Sequence, residues 1–222
     1  MSGRPKEGYQ NKAGEKVPGT TTIIGRFKDS GALIYWAWKT GKEGKDINKV
    51  RDDAADAGSC CHEMIDCHLH NRTFQNGKWD AIAIAKAEHA FIGYLDWADQ
   101  SRLKLEAAEI SLVSEKYQYG GTMDLVTMHK GGLTLLDYKT SNGIYAEMLC
   151  QLGGYALLWT EHYPDKPLKG AALLRIGKPK HPDDPVSFEH RYFSAEIFPL
   201  VIRQFLLFRE AYDLDKRLHG LL

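Results

Sequence analysis

Apolar positions recur at a helical period through the first half of the chain and shorten into alternating runs in the second half, which predicts helices followed by a sheet. Residues 1 to 16 are polar and rich in Gly, Lys and Glu. They hold too little apolar surface to offset the entropy of ordering, so a flexible tail is expected there. Order should begin near Val17-Pro18-Gly19. Asp29-Ser30 offers an N-cap for a short helix that puts Leu33, Ile34, Ala37 and Trp38 on one face and ends by Gly41. A second helix is expected from about Asp52 to Leu69, where Gly58, His62, Ile65 and Leu69 share a face and turn His62 inward. Beyond a loop at Asn76-Gly77, the repeat Ile84, Phe91, Leu95 and Ala98 marks a long helical segment reaching about residue 107.

The period then changes. Runs at Ile110 to Ser114, Thr122 to Met128 and Leu133 to Tyr138 are β-prone. They are separated by Tyr119-Gly120-Gly121 and His129-Lys130-Gly131-Gly132, which read as hairpin turns and give a three-stranded meander. Next come a helix from about Tyr145 to Glu161, a strand near Gly170 to Ile176, a loop through Pro179, Pro182 and Pro185, and a strand near Val186 to Phe193. A last helix has Ser194 as candidate N-cap and Phe198, Ile202, Phe205, Phe208 and Tyr212 as its buried stripe. This order predicts an α+β sandwich with a mixed sheet, not a doubly wound parallel one.

Composition narrows the class without naming a partner. With 222 residues, 43% hydrophobic and 26% charged, one globular unit with a sizeable core is expected. No stretch nears the ~20 apolar residues of a membrane span, and the start lacks an apolar signal-peptide core, so a soluble cytoplasmic protein without membrane contact is expected. Basic and acidic residues balance at 29 each, so contact with a polyanion would need a local basic patch and bound cations. Lys42, Lys45, Lys49 and Arg51 form one such stretch, read first as a solvated loop and second as a phosphate-contacting rim. Beside it, Tyr35, Trp36 and Trp38 are either core or a stacking platform for splayed bases; core is favoured for Trp38, and Trp36 is left open. Cys60, Cys61, Cys67 and Cys150 read as reduced thiols.

The densest polar constellation straddles two strands. Hairpin pairing makes Asp124 and Asp137 neighbours at the rim of an apolar sheet, and two close carboxylates suit a hard divalent cation such as Mg²⁺ or Mn²⁺. Lys139 projects to the same face as Asp137, where an ammonium can orient a water for attack on a phosphodiester. On the following helix Glu147, Gln151 and Tyr155 recur as a polar stripe, and Gly153-Gly154 point to close packing. An acid-x-Lys triplet alone is weak, since strand ends commonly carry solvated charges. The conjunction with a second acid and a polar helix stripe gives it weight.

Four segments in this order, Gly58-Ser59-Cys60-Cys61-His62, Gly121-Thr122-Met123-Asp124, Asp137-Tyr138-Lys139 and Gln151-Leu152-Gly153-Gly154-Tyr155, resemble the RecB-like branch of the PD-(D/E)XK nuclease superfamily. Within it the likeness is to phage exonucleases and the mitochondrial genome maintenance exonuclease, over about residues 17 to 193. The resemblance implies a restriction-endonuclease-like core with an N-terminal helical extension: a helical part over 17–107, a catalytic core over 108–193 and a C-terminal helix over 194–218. It implies that Asp124, Asp137, the Tyr138 carbonyl and His62 ligate Mg²⁺ or Mn²⁺, that Lys139 positions the water, and that Gln151 and Tyr155 hold DNA. By spacing alone His62 is a core histidine before it is a ligand; the resemblance reverses that order. Thr140 and Ser141 could donate to a phosphate or cap their own turn. Glu109 is expected to be second-shell or structural. Several relatives carry an iron-sulfur cluster with three cysteines near the C-terminus, and with no cysteine after Cys150 a cluster of that layout is excluded.

The activity so implied is metal-dependent DNA exonuclease, in recombination, repair or replication in a phage or bacterial setting. The alternatives are a structure-selective or nicking endonuclease of the same fold and a non-catalytic nucleic-acid-binding module. The partner is DNA, single- or double-stranded and with ends; a recombinase or single-strand-annealing protein and self-association are further candidates.

Overall fold

The computed structural model describes residues 5–101, 103–177 and 187–222. The loop through Pro179, Pro182 and Pro185, and Val186 at the expected start of the last strand, lie outside the described residues. In chain order the elements are β1 (Tyr9–Gln10), β2 (Lys16–Val17), α1 (Thr20–Arg26), α2 (Gly31–Lys42), α3 (Ile47–Leu69) and α4 (Ala81–Ser101). There follow β3 (Lys104–Ser114), β4 (Tyr119–His129), β5 (Gly132–Lys139), α5 (Ala146–His162), β6 (Gly170–Ile176), β7 (Phe188–Ser194) and α6 (Phe198–His219). A five-stranded sheet runs β3-β4-β5-β6-β7, antiparallel throughout except for the parallel β5/β6 pair that α5 connects. This mixed sheet is the α+β architecture that the element order predicts.

Helices cover both faces of the sheet. On one face α3 and α4 pack Cys60, Cys61, Met64, Ile65, Ala90, Tyr94 and Trp97 against Leu125, Leu136, Tyr138 and Leu174. The small residues of α3 let it lie close, and all four cysteines are buried thiols. On the other face α5, α6 and α1 pack Leu152, Trp159, Phe205, Ile23 and Ile24 against Met123, Val126, Leu135 and Leu173. Phe198, Ile202, Phe208 and Tyr212 join Phe205 there, as the stripe of the last helix predicts. Among the described residues no helix is long and apolar enough to cross a membrane.

Several local readings of the sequence differ from the structure, each for a physical reason. Part of the expected flexible tail is ordered: β1 and β2 form a small hairpin, and Tyr9 is buried against the Gly120 backbone, where any Cβ would collide with the ring. The Tyr119-Gly120-Gly121 segment is therefore strand rather than turn. Its glycines admit Tyr9 on Gly120 and Tyr155 on Gly121, where a Cβ would lie 2.7 Å from the Tyr155 ring. The turn itself is made by Glu115 to Gln118, with Gln118 in the left-handed region at φ 53 and its N–H bonded to the Ser114 carbonyl at 2.9 Å.

Second, α3 begins at Ile47, inside the stretch read as a loop, because the Asp46 carboxylate caps it by accepting from the N–H groups of Asn48 and Lys49 at 2.9 and 3.1 Å. Third, the segment expected to stay helical to residue 107 enters β3 at Lys104, held by pairing of Lys104 with Met128. Fourth, Trp38 is exposed on α2, not core, while Trp36 is half-buried.

Gly153 marks the closest approach of α5 and α6, since a Cβ there would collide with the Val201 carbonyl oxygen. Gly153→Val should lower unfolding free energy by about 1–3 kcal/mol, read by urea denaturation, because rigid backbone leaves the side chain nowhere to go. An unchanged midpoint would mean that the two helices do not touch there.

Candidate active site

Sheet register gathers the acids. Ala108 pairs with Leu125 and Ile110 with Met123, which puts Glu109 opposite Asp124; Leu125 pairs with Leu136, which continues the same row to Asp137. Three carboxylates on three neighbouring strands thus lie side by side. Glu109 reaches its place by adopting a left-handed backbone, φ 48, uncommon for a residue with a Cβ and the kind of local strain that collects at functional sites. The Asp124 carboxylate accepts the Tyr138 N–H at 2.7 Å, which fixes its orientation.

From the other side α3 presents His62. Its ring packs edge-on against Tyr138, with centroids 5.8 Å apart, and its Nδ1 lies 3.7 Å from Asp124 Oδ1. One ligand atom each from His62, Glu109 and Asp124 falls within 4.8 Å of the others. An imidazole nitrogen and two carboxylates crowded this closely form a donor set that fits a divalent cation. Burial pushes Glu109 up to about 8, aided by the Asp124 charge. Burial drives the imidazole of His62 down, but Asp124, Asp137 and Glu109 together outweigh it and hold His62 above its ordinary value. Burial likewise raises Asp124, yet His62, Lys139 and the Tyr138 N–H prevail and keep its carboxyl below the usual range.

Asp137 faces a different set of partners. The residue is 1% exposed, and its carboxylate is ion-paired with Lys139 and accepts from Gln151 Nε2 at 3.2 Å. Burial pushes it up to about 6 in spite of the Lys139 charge. Lys139 Nζ also donates to Gln151 Oε1 at 3.0 Å, and Gln151 Nε2 donates to the Tyr155 hydroxyl at 2.8 Å. Tyr155 therefore accepts from Gln151 and keeps its own O–H proton for another partner. Burial, then the Asp137 charge, raise the phenol well above its ordinary value, so that proton stays on.

An open cleft of about 810 Å³ gives access to part of this site, while Asp137, Lys139 and Gln151 lie behind its lining residues. His62, Glu109, Thr122, Asp124, Thr140 and Tyr155 line it, and so do residues that the sequence did not single out: Tyr9, Glu63, Asp66, Arg72 and Lys78. Glu63 and Asp66 were within reach of sequence reasoning, since they follow His62 by one and four positions on the same helix. Tyr9 gave no signal. Its hydroxyl lies 2.9 Å from Thr122 Oγ1, which lies 2.6 Å from Ser111 Oγ, so the N-terminal hairpin is tied to the strand that carries Asp124. Arg72 and Lys78 are ion-paired with Asp66 and Glu63 at the far wall. Ser141 Oγ donates to the Gly143 carbonyl at 2.8 Å, which is the turn-capping alternative of the two open to it, and Glu147, the first residue of the polar stripe, pairs with Lys28 at 2.8 Å.

Among solved structures, a "Putative exonuclease" from Eubacterium rectale is similar at 11% identity and a TM-score of 0.41, over 81% of this chain. The chain spans 65% of that protein's length. The alkaline exonuclease of Laribacter hongkongensis is similar at 11% identity and a TM-score of 0.35, over 76% of this chain and 92% of that one; its complex with dAMP is similar at 13% identity and a TM-score of 0.38, over 77% and 92%. No curated protein matches the sequence. The family model of the PD-(D/E)XK nucleases matches residues 37–212, a span that runs from α2 to α6 and takes in every strand bearing the acidic row. With that extent of match the chain belongs to the PD-(D/E)XK nuclease superfamily.

Proposed function

We propose that this protein is a metal-dependent DNA exonuclease that hydrolyses phosphodiester bonds, with Mg²⁺ or Mn²⁺ as its ion. The observation that carries the reading is the crowding of His62, Glu109 and Asp124 beside a separate Asp137–Lys139–Gln151 network. His62, Glu109 and Asp124 would hold the ion, with Asp137 and the Tyr138 carbonyl at its edge. Glu109 thus moves from the supporting role expected of it to a ligand's role. Bound there, a divalent cation supplies charge against the scissile phosphate and makes water a better nucleophile.

The chain's own groups account for the rest. Lys139 is held by Asp137 and Gln151, so its ammonium is fixed beside the acidic row, where it can orient the attacking water. The Tyr155 hydroxyl, already accepting from Gln151, is left to donate to a phosphate oxygen, and Thr140 offers a second hydroxyl to the same strand. Water oxygen forms the new bond to phosphorus, the bond to the 3′-oxygen breaks, and that oxygen takes a proton. A 3′-hydroxyl and a 5′-phosphate result. Zero net charge is compatible with a polyanionic substrate because the attraction is local.

End-labelled linear DNA should be degraded in the presence of Mg²⁺ or Mn²⁺ while covalently closed circles survive. Asp124→Asn and Lys139→Met should each lower the rate by about 100-fold or more, with DNA affinity in Ca²⁺ largely kept. Equal cleavage of circles would make the enzyme an endonuclease, and wild-type rates in both variants would remove the assignment altogether. His62→Ala and Glu109→Gln should raise the Mn²⁺ concentration for half-maximal activity about tenfold or more. An unshifted metal titration would leave His62 and Glu109 as packing groups.

A further inference from the structure

Helix α2 carries an apolar surface that the fold does not use. Leu33, Ile34, Tyr35 and Trp38 are 58%, 65%, 64% and 57% exposed, and Thr40 is the one buried residue of the helix. Such a cluster is not explained by packing, and exposed apolar patches mark interaction sites. The Tyr35 and Trp38 rings lie 5.8 Å apart, and the Lys42 ammonium sits 5.0 Å over the indole. Aromatic faces with a cation beside them are the composition that stacks nucleobases without regard to sequence.

Charge and position both favour a nucleic-acid strand as occupant. The helix contains two lysines, Lys39 and Lys42, and no acid, whereas the other cations near it are ion-paired: Lys28 with Glu147, Lys45 with Glu43, Lys49 with Asp53 and Arg51 with Asp52. In a chain of zero net charge, the helix itself therefore carries a local excess of two positive charges. The two helices that α2 joins both wall the catalytic cleft, α1 through Thr21 and α3 through Ala55, Gly58 and Ser59. A polyanion engaged in the cleft thus has α2 as the covalent neighbour of two of its walls.

We propose that α2 is a docking face for an unpaired DNA strand, whose bases stack on Tyr35 and Trp38 while Lys39 and Lys42 meet its phosphates. This inference rests on the nuclease reading and deepens it, since it names a strand with free bases as the substrate class. A paired duplex keeps its base faces stacked on one another and cannot offer them to an exposed ring. The apolar flank of Leu33 and Ile34 adds contact area for the sugar and base edges.

The test uses the full chain with a fluorescently labelled oligothymidylate in Ca²⁺, so that binding is read without cleavage. The variant with both Tyr35→Ala and Trp38→Ala should bind about tenfold or more weakly, while Trp38→Phe alone stays near wild type. An abasic strand of equal length should show no such loss, because it has phosphates but nothing to stack. Hydrolysis of bis(p-nitrophenyl) phosphate should be the same in all of these proteins, since a small ester reports the catalytic centre without reaching α2. Unchanged oligothymidylate affinity in the double variant overturns the proposal, as does an equal loss on the abasic strand. Loss of self-association by sedimentation, or of binding to anionic vesicles, with oligonucleotide affinity intact would likewise overturn it in favour of those occupants. If wild type hydrolyses neither DNA nor the small ester, the nuclease reading fails while the binding comparison still decides the role of α2.

Discussion

The crowding of three carboxylates, one buried and two partly so, is the constraint around which this molecule is arranged. Glu109, Asp124 and Asp137 occupy one row across three neighbouring strands, with Asp137 buried and Glu109 and Asp124 partly exposed to the cleft, so that they are incompletely screened from each other. Left alone, such a row would pull protons from solution. Burial first, and the Asp124 charge after it, raise Glu109 to about 8 and Asp137 to about 6. Lys139 relieves the repulsion at Asp137, and His62 relieves it at Asp124. Two cations leave one of the three acids without a counter-charge, and the donor set of His62, Glu109 and Asp124 is of a kind that fits a divalent ion.

The scaffold serves that row by bringing rigid elements against it from both sides of the sheet. From one face, small side chains on α3 bring His62 to Asp124; from the other, α5 brings Gln151 and Tyr155 to Asp137 and Lys139. Gln151 links the two halves of the α5 contact, because its single amide accepts from Lys139 and donates to both Asp137 and Tyr155. Close approach of backbone makes these placements reproducible. Gly121 gives Tyr155 its room, Gly120 gives Tyr9 its seat, and Gly153 lets α6 press α5 towards the sheet.

Much of this was legible in the sequence, and the exceptions have physical causes. Asp124, Asp137 and Lys139 could be placed together because alternation of apolar residues sets hairpin register to within one residue, and a one-residue slip would bury charge on the wrong face. Gln151 and Tyr155 followed from helical spacing. Glu109 could not be placed in the row with the same ease, because it depends on a left-handed residue inside a strand, which no periodicity announces. Gly120 and Gly121 were misread because glycine signals both a turn and a close contact, and the contact came from Tyr9, over a hundred residues distant in the chain. The tail looked structureless for the same reason: one aromatic ring in a polar segment finds its partner only in the folded state. Trp38 looked like core because periodicity reports which residues share a face, and is silent on what that face meets.

The most direct measurement is anomalous diffraction from crystals soaked in Mn²⁺. The account predicts an ion peak within coordination distance of the His62 imidazole and the Glu109 and Asp124 carboxylates. Side chains at those three positions diverging from one another, with no anomalous density among them at saturating Mn²⁺, would contradict it.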